Sequence, residues 1–273
     1  MPPVLVEKKV RGKKKQKTKK NNLRKVVIFD ACYALGRACS QVRDFDDTRR
    51  YFKRAKEGYE EQLGRDSEKA LEVTLSLIAA TVLIKGERIE MYRDLVKRCE
   101  RALGEENVVT LHTPYQLGIE LKDNEEYEEA IKVHESCLAG RMKVLGEDHK
   151  DTFGTLNNLG IAYHKLLNYE KALEYYGRAL EGKEKTAGKT HPSTLMAVEC
   201  MTIVYNKMKA YGKAELLYQR ALEGYEAQFG KDQKDTMRYA KNYGVCLEAS
   251  GNSAGMAELR KAHPNVDSYV VKC

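Results

Sequence analysis

The strongest constraint on this chain is a repeat of 42 residues. Gly118, Gly160 and Gly244 lie on one ladder at that step, with Gly36 and Ser76 above them across a single 40-residue interval. Gly64, Gly104, Gly146, Gly188 and Gly230 form a second ladder. The segment EGYEEQLGRD (Glu57 to Asp66) returns as EGYEAQFGKD (Glu223 to Asp232). A period of this length means stacked supersecondary units that shelter one another's apolar faces, and it disfavours a single core with one cleft.

Within one period, Asp151 to Pro192, the apolar spacing predicts two amphipathic helices. The first runs from about 152 to 166, with Leu156, Leu159, Gly160 and Tyr163 on one face. The second runs from about 169 to 185, with Ala172, Tyr176, Ala179 and Leu180 on one face. Asn168 breaks the pattern between them. Gly188 and Pro192 end the second helix, and Ser193 or Thr194 is placed to cap the next. The expected fold is all-α, a solenoid of about six helix-turn-helix units near 30–66, 67–108, 109–150, 151–192, 193–234 and 235–263, followed by a C-terminal tail over 264–273. Unit two loosens through IKGERIEMYRDLVKRC, and unit six fades after Gly251, as a polar capping repeat would. The mid-helix glycines each cost about 1 kcal/mol against alanine. Their recurrence implies a neighbouring backbone passing close by, with Ala130, Ala172 and Ala214 as the facing contacts. Phe45, Tyr127, Tyr169 and Tyr211 recur at the inter-helix turn and read as structural plugs between hairpins.

Charge divides the chain. The whole carries +8, but residues 1–25 hold eleven Lys or Arg and one acid, Glu7, so they carry +10 and leave −2 for the rest. Residues 1–25 cannot bury enough apolar surface to offset the entropy of ordering and are expected to be a disordered basic tail. Its lysines Lys13, Lys14, Lys15, Lys17, Lys19 and Lys20 fit three roles: an import signal read by an import receptor, a phosphate contact on nucleic acid, or a solubilising arm. No aromatic interleaves them to stack on bases. The seven cysteines are scattered, odd in number and without a C-x-x-C pair, which points to a reducing compartment and a cytoplasmic chain, with the nucleus open through the tail. No stretch approaches 18 apolar residues, so no membrane span is expected.

Leu159, Gly160, Tyr163, Ala172, Tyr176 and Ala179 carry a small/large signature that resembles tetratricopeptide repeats. The phrases LGEDHKDT (Leu145 to Thr152), TLNNLGIAY (Thr155 to Tyr163) and KTHPSTL (Lys189 to Leu195) are similar to the 42-residue variant of kinesin light chains and nephrocystin-type scaffolds. The resemblance covers about Ala31 to Gly251. It implies a right-handed superhelix whose first helices line an inner groove that holds a segment of another protein. It also implies that Asn157 and Asn158, at the light chains' N-N-L phrase, help hold the ligand backbone. The chain departs from the family in two places. No long heptad coiled coil precedes Ala31, and the register where chaperone adaptors carry a carboxylate-clamp Asn holds Ile119, Ile161, Ile203 and Val245.

Those four β-branched residues form a stripe that is either an apolar groove floor or ordinary core. Helical spacing places Tyr115, Lys122, Asn157, His164, Lys165, Glu199, Asn206, Lys207, Lys241 and Asn242 around them, and the lysine excess suits an acidic-apolar protein or peptide partner. No metal or cofactor is expected. No histidine pairs at i+4 with another, His134 and Cys137 fall on core registers, and five rather than four residues separate Gly182 from Gly188 in the one near-match to a phosphate loop. No catalytic constellation is visible, so the expectation is a non-enzymatic scaffold, with a nucleic-acid-associated factor as the rival.

Overall fold

A computed structural model describes residues 25–81 and 85–268. The expected disorder of the basic tail and the last residues of the expected C-terminal tail fall outside them. Among the described residues every regular element is an α-helix: α1 (25–41), α2 (Phe45–Leu63), α3 (Glu68–Ala80), α4 (Lys85–Leu103), α5 (Val108–Asp123), α6 (Tyr127–Leu145), α7 (Lys150–Lys165), α8 (Tyr169–Ala187), α9 (Pro192–Lys207), α10 (Tyr211–Phe229), α11 (Lys234–Ser250) and α12 (Ser253–Ala262). They form two compact units that divide within α5, between Glu120 and Leu121.

In the C-terminal unit each helix packs mainly on its chain neighbours, α6 on α7, α7 on α8, and so on to α11 on α12, with α7 also touching α9. That is the nearest-neighbour order of stacked hairpins. One core runs through α7 and α8 around Leu156, Leu159, Tyr163, Tyr176 and Ala179. The next runs through α9 to α12 around Val198, Tyr218, Tyr239 and Leu247. In the N-terminal unit, Cys32, Phe52, Ala55, Tyr59, Ala70 and Val73 join α1, α2 and α3.

Turn chemistry sets the hairpin ends. Asn168 caps α8 by accepting from the Lys171 N–H, and Gly188 ends that helix at φ +94°, where a side chain would be strained. His191, not Ser193 or Thr194, caps α9. Its Nδ1 accepts from the Ser193 N–H at 3.2 Å, and Pro192 takes the first helical position, where its missing N–H costs nothing. Thr194 is spent elsewhere: its hydroxyl donates to the Gly188 carbonyl at 2.8 Å, as Thr152 does to Gly146 at 2.8 Å one repeat earlier.

The glycine ladder has a different neighbour from the one expected. An added Cβ at Gly160 would sit 2.5 Å from the ring of Tyr176, and one at Gly36 would sit 2.5 Å from the ring of Phe52. The first helix therefore carries glycine to admit an aromatic ring of the second helix, not a bare backbone. The second helices return the arrangement: Cβ atoms at Gly58, Gly182 and Gly224 would meet Phe29, Phe153 and Leu195 within 2.7 Å. The plug residues Phe45, Tyr127, Tyr169 and Tyr211 each open a second helix. Tyr169 and Tyr211 pack on the cores, whereas Phe45 is 53% exposed.

The last hairpin does not fade. α12 seats Met256 and Leu259 against α11, and the turn after it, within the expected C-terminal tail, buries Val266 in the same core. Leu35, next to Gly36 of the glycine ladder, is 48% exposed. Four tyrosines close the α9 to α12 core, with Tyr218 to Tyr239 and Tyr225 to Tyr239 ring centroids at 5.3 Å and Tyr218 stacked on Tyr243 at 5.5 Å.

Gly160→Val forces the Tyr176 ring out of a fully buried site and lowers stability by about 2–3 kcal/mol. Gly177 of the same helix has open space at its Cβ, so Gly177→Ala raises stability by about 0.5–1 kcal/mol through helix propensity alone. Urea unfolding of the two variants checks the pair. Equal midpoints would overturn the register.

Candidate functional site on the first-helix faces

The small/large pairing turns one side of each first helix toward its own second helix and leaves the opposite side open. In the C-terminal unit that open side belongs to α7, α9 and α11. Val245 is 60% exposed and Ile203 41%, while Ile161 is half-buried against the α7–α8 core. Along the same helices Lys165 and Lys207 are exposed, and Asn157, His164, Asn206, Lys241 and Asn242 are half-buried. Lys122 is half-buried and pairs with Asp123 at 3.3 Å. In the N-terminal unit, Tyr115 and Ile119 of α5 are half-buried, and the Tyr115 ring lies 5.9 Å from that of His112.

Polar partners sort these positions. The Asn206 amide donates to the Tyr218 hydroxyl at 2.9 Å, which fixes its carbonyl oxygen in a buried place with no hydrogen-bond partner. The Asn157 carbonyl oxygen is likewise buried and unmatched. Both oxygens are closed off from solvent, where an unpaired acceptor is costly. Asn158, grouped with Asn157 by the resemblance, is instead buried and bonds back to the Gly154 carbonyl of its own helix at 3.2 Å. Glu199 is already spent on Arg238, at 2.6 Å from α9 to α11, in an ion pair that sequence spacing did not single out. Burial, then Lys165 and Lys207, hold the His164 pKa below its ordinary value, so α7 and α9 present a neutral imidazole among ammonium groups at neutral pH.

A second feature was not legible in the repeat pattern. In the N-terminal unit, α1, α3 and α5 enclose a cleft of about 400 Å³ with Leu75, Val108 and Val109 on its apolar side. Tyr33, Glu72 and Ser76 form its polar side, the Tyr33 hydroxyl lying 3.0 Å from Ser76 Oγ and donating to Glu72 Oε1 at 3.2 Å. His112 and Gln116 meet at 3.0 Å beside them. The degenerate register of unit two hid this site. Ser76 was read only as a small residue on the glycine ladder.

His134 and Cys137 are both buried in α6, and among the described residues no group of three His, Cys, Asp or Glu side chains is placed to hold a metal. Gly182 lies inside α8, so the near-match to a phosphate loop is helix. No helix among the described residues is long and apolar enough to cross a membrane. The tail lysines Lys13 to Lys20 lie outside the described residues.

The fold and its first-helix faces define a helical-hairpin repeat protein. Residues 109–185 match the family model of the tetratricopeptide repeat. Solved structures agree over more of the chain. The nearly identical TPR-like repeats of a candidate kinesin light chain from Podosopora anserina align at 18% identity and a TM-score of 0.64, over 74% of this chain and 96% of that one. BtubC (BKLC) from P. vanneervenii aligns at 16% identity and a TM-score of 0.64, over 89% and 95%. A Rap protein complexed with Competence and Sporulation Factor aligns at 13% identity and a TM-score of 0.58, over 88% and 75%. The chain is therefore similar in fold to tetratricopeptide-repeat solenoids, the kinesin light chain repeats among them. No curated protein matches the sequence.

One buried charge sits apart from this face. Lys183 of α8 is 7% exposed, near Cys200 and with Tyr176 at the same thiol, and burial holds its pKa below the ordinary lysine value. The unfolded chain therefore binds a proton here more tightly than the folded one. Stability from this group rises as pH climbs from the lowered folded value toward 10.5, and its cost is fully present at neutral pH. Lys183→Met keeps the stem and removes the charge, so it raises the melting temperature at pH 7, and the gap to the parent narrows toward alkaline pH. Melting curves across that range check the sign; a lower melting temperature at pH 7 contradicts it.

Proposed function

We propose that the chain is a non-enzymatic scaffold that docks a segment of a protein partner along its first-helix faces. The observation that carries this reading is the run of β-branched side chains at 42-residue steps in the C-terminal unit. Ile203 and Val245 stand open to solvent with Ile161 beside the core, and they are flanked by lysines and by the unmatched carbonyl oxygens of Asn157 and Asn206. Apolar contacts supply affinity, and the exposed Lys165 and Lys207 favour acidic side chains. The Rap protein complexed with Competence and Sporulation Factor supports docking on this fold. Docking in the manner of kinesin light chains is the finer form of the proposal.

A displayed random-peptide library selected on the intact protein should yield acidic-apolar sequences. Calorimetry with a selected peptide then reads the face: the double variant Ile203→Glu, Lys207→Glu weakens binding by about tenfold or more. Unchanged affinity in a folded variant would retire these residues as the docking surface.

The +10 carried by residues 1–25 favours a second reading, phosphate contact on nucleic acid. Deleting those residues separates the two. Loss of salt-sensitive RNA retention with peptide binding intact assigns the tail to nucleic acid and leaves the scaffold standing.

A further inference from the structure

The two terminal helices differ in a way that the repeat does not require. The outer end of a stack of hairpins meets water and needs a polar face. α12 meets that need: Ser253, Glu258, Arg260 and Lys261 are exposed, and no large apolar side chain is exposed beyond residue 250 among the described residues. α1 does not. Its core side is formed by Phe29, Cys32, Tyr33 and Gly36, which meet α2 and α3. Its other side repeats in sevens. Ile28, Leu35 and Val42 occupy one heptad position, Ala31 and Ala38 the position three residues later, and all five are exposed. Val42 stays on the helical path because its N–H donates to the Ala38 carbonyl at 3.3 Å. The flanking row is Val27, Ala34 and Gln41, also exposed, so between residues 27 and 42 these three rows carry no charge. Val27 is 62% exposed, Ile28 51% and Val42 76%.

We propose that this face of α1 pairs with the same face of a second copy of the chain, as an antiparallel helix dimer about a two-fold axis. Three observations select that occupant. The 3–4 spacing is the seam of two helices packed at a shallow angle. The seam is complementary to itself when antiparallel: Ile28 lies opposite the partner's Ala38 and Leu35 opposite the partner's Ala31, and the two-fold repeats both contacts. Ile28 and Leu35, the two large side chains within the helix, then each meet a small one, which is the reciprocal pattern of a closed dimer. The charge of residues 1–25 favours the same orientation. A parallel pair would bring two +10 segments together at one end, whereas the antiparallel pair sets them at opposite ends. The exposed apolar surface of α1 supplies about 500 Å² per copy, which brings the pair to the roughly 1,000 Å² expected of a specific interface.

Sedimentation velocity of the intact protein over a wide concentration range tests this. The parent is expected to sediment as a reversible dimer. Leu35→Asp places a charge from each copy in the seam and weakens dimerisation by about a hundredfold. Leu216→Asp, at a 70% exposed apolar position of α10, leaves it unchanged. A second measurement does not depend on either variant's folding. Ala34 lies one residue from the two-fold axis at Tyr33, on the row that flanks the seam, beside its own copy, so in Ala34→Cys the introduced thiols join two copies on mild oxidation, and peptide mapping finds the 34–34 link. A parent that stays monomeric throughout overturns the proposal, whether its own first residues or another protein covers the face. So does a dimer that survives Leu35→Asp and lacks the 34–34 link.

Discussion

Reciprocal contact between a glycine and a bulky side chain organises the hairpins of this protein. At one level a first-helix glycine admits a second-helix ring, as Gly160 does Tyr176. At another, a second-helix glycine admits a first-helix side chain, as Gly182 does Phe153. Two such contacts on one hairpin fix its helices in distance and in rotation. Rotation matters for the surface, because it turns Ile203, Val245 and the lysines away from the core and leaves them in one row. The cost of about 1 kcal/mol for each helical glycine is offset by burial of a large side chain, about 1.5–3 kcal/mol for a Phe-sized group.

Between hairpins, polar joints add to the shared apolar cores. Arg141 of α6 is almost fully buried and donates to the Asp151 carbonyl at 2.7 Å and the Thr155 hydroxyl at 2.8 Å on α7. Lys185 reaches Asp148 at 2.5 Å, and Arg220 pairs with Glu184. Exposed pairs of this kind are individually worth little, and a buried guanidinium held by hydrogen bonds is costlier to disturb. Stacking order therefore draws on the shared apolar cores, on buried groups such as Arg141 and on the threonine latches, with the outer ion pairs adding register.

The fold was legible because periodicity survives without neighbours being known. Tyr176, Ala179 and Leu159 announce their faces by spacing alone, and each is buried. What the sequence hid depends on contacts across a period. The ladder of Gly58, Gly182 and Gly224 escaped notice because its meaning lies in Phe29, Phe153 and Leu195, each 29 residues earlier. The pairing of Glu199 with Arg238 spans 39 residues and exists only once α9 and α11 are side by side. Hairpin turns gave no glycine signal either. Arg43, Glu125, Leu167 and Lys209 take positive φ between 56° and 68°, and among the described residues only the last such turn uses glycine, at Gly251. In the candidate site, exposure of Ile203 and Lys207 followed from helical phase, whereas the bond from Asn206 to Tyr218 did not.

The tyrosine group that closes the α9 to α12 core has an optical consequence. The chain holds 17 tyrosines, 5 phenylalanines and no tryptophan, so phenol rings dominate its near-ultraviolet emission and dichroism. Four of them sit within 5.5 Å of a neighbour in a fixed, dissymmetric cluster. Exciton coupling among those rings lends the C-terminal hairpins a built-in chromophore, one that fades when their packing loosens while backbone helicity persists.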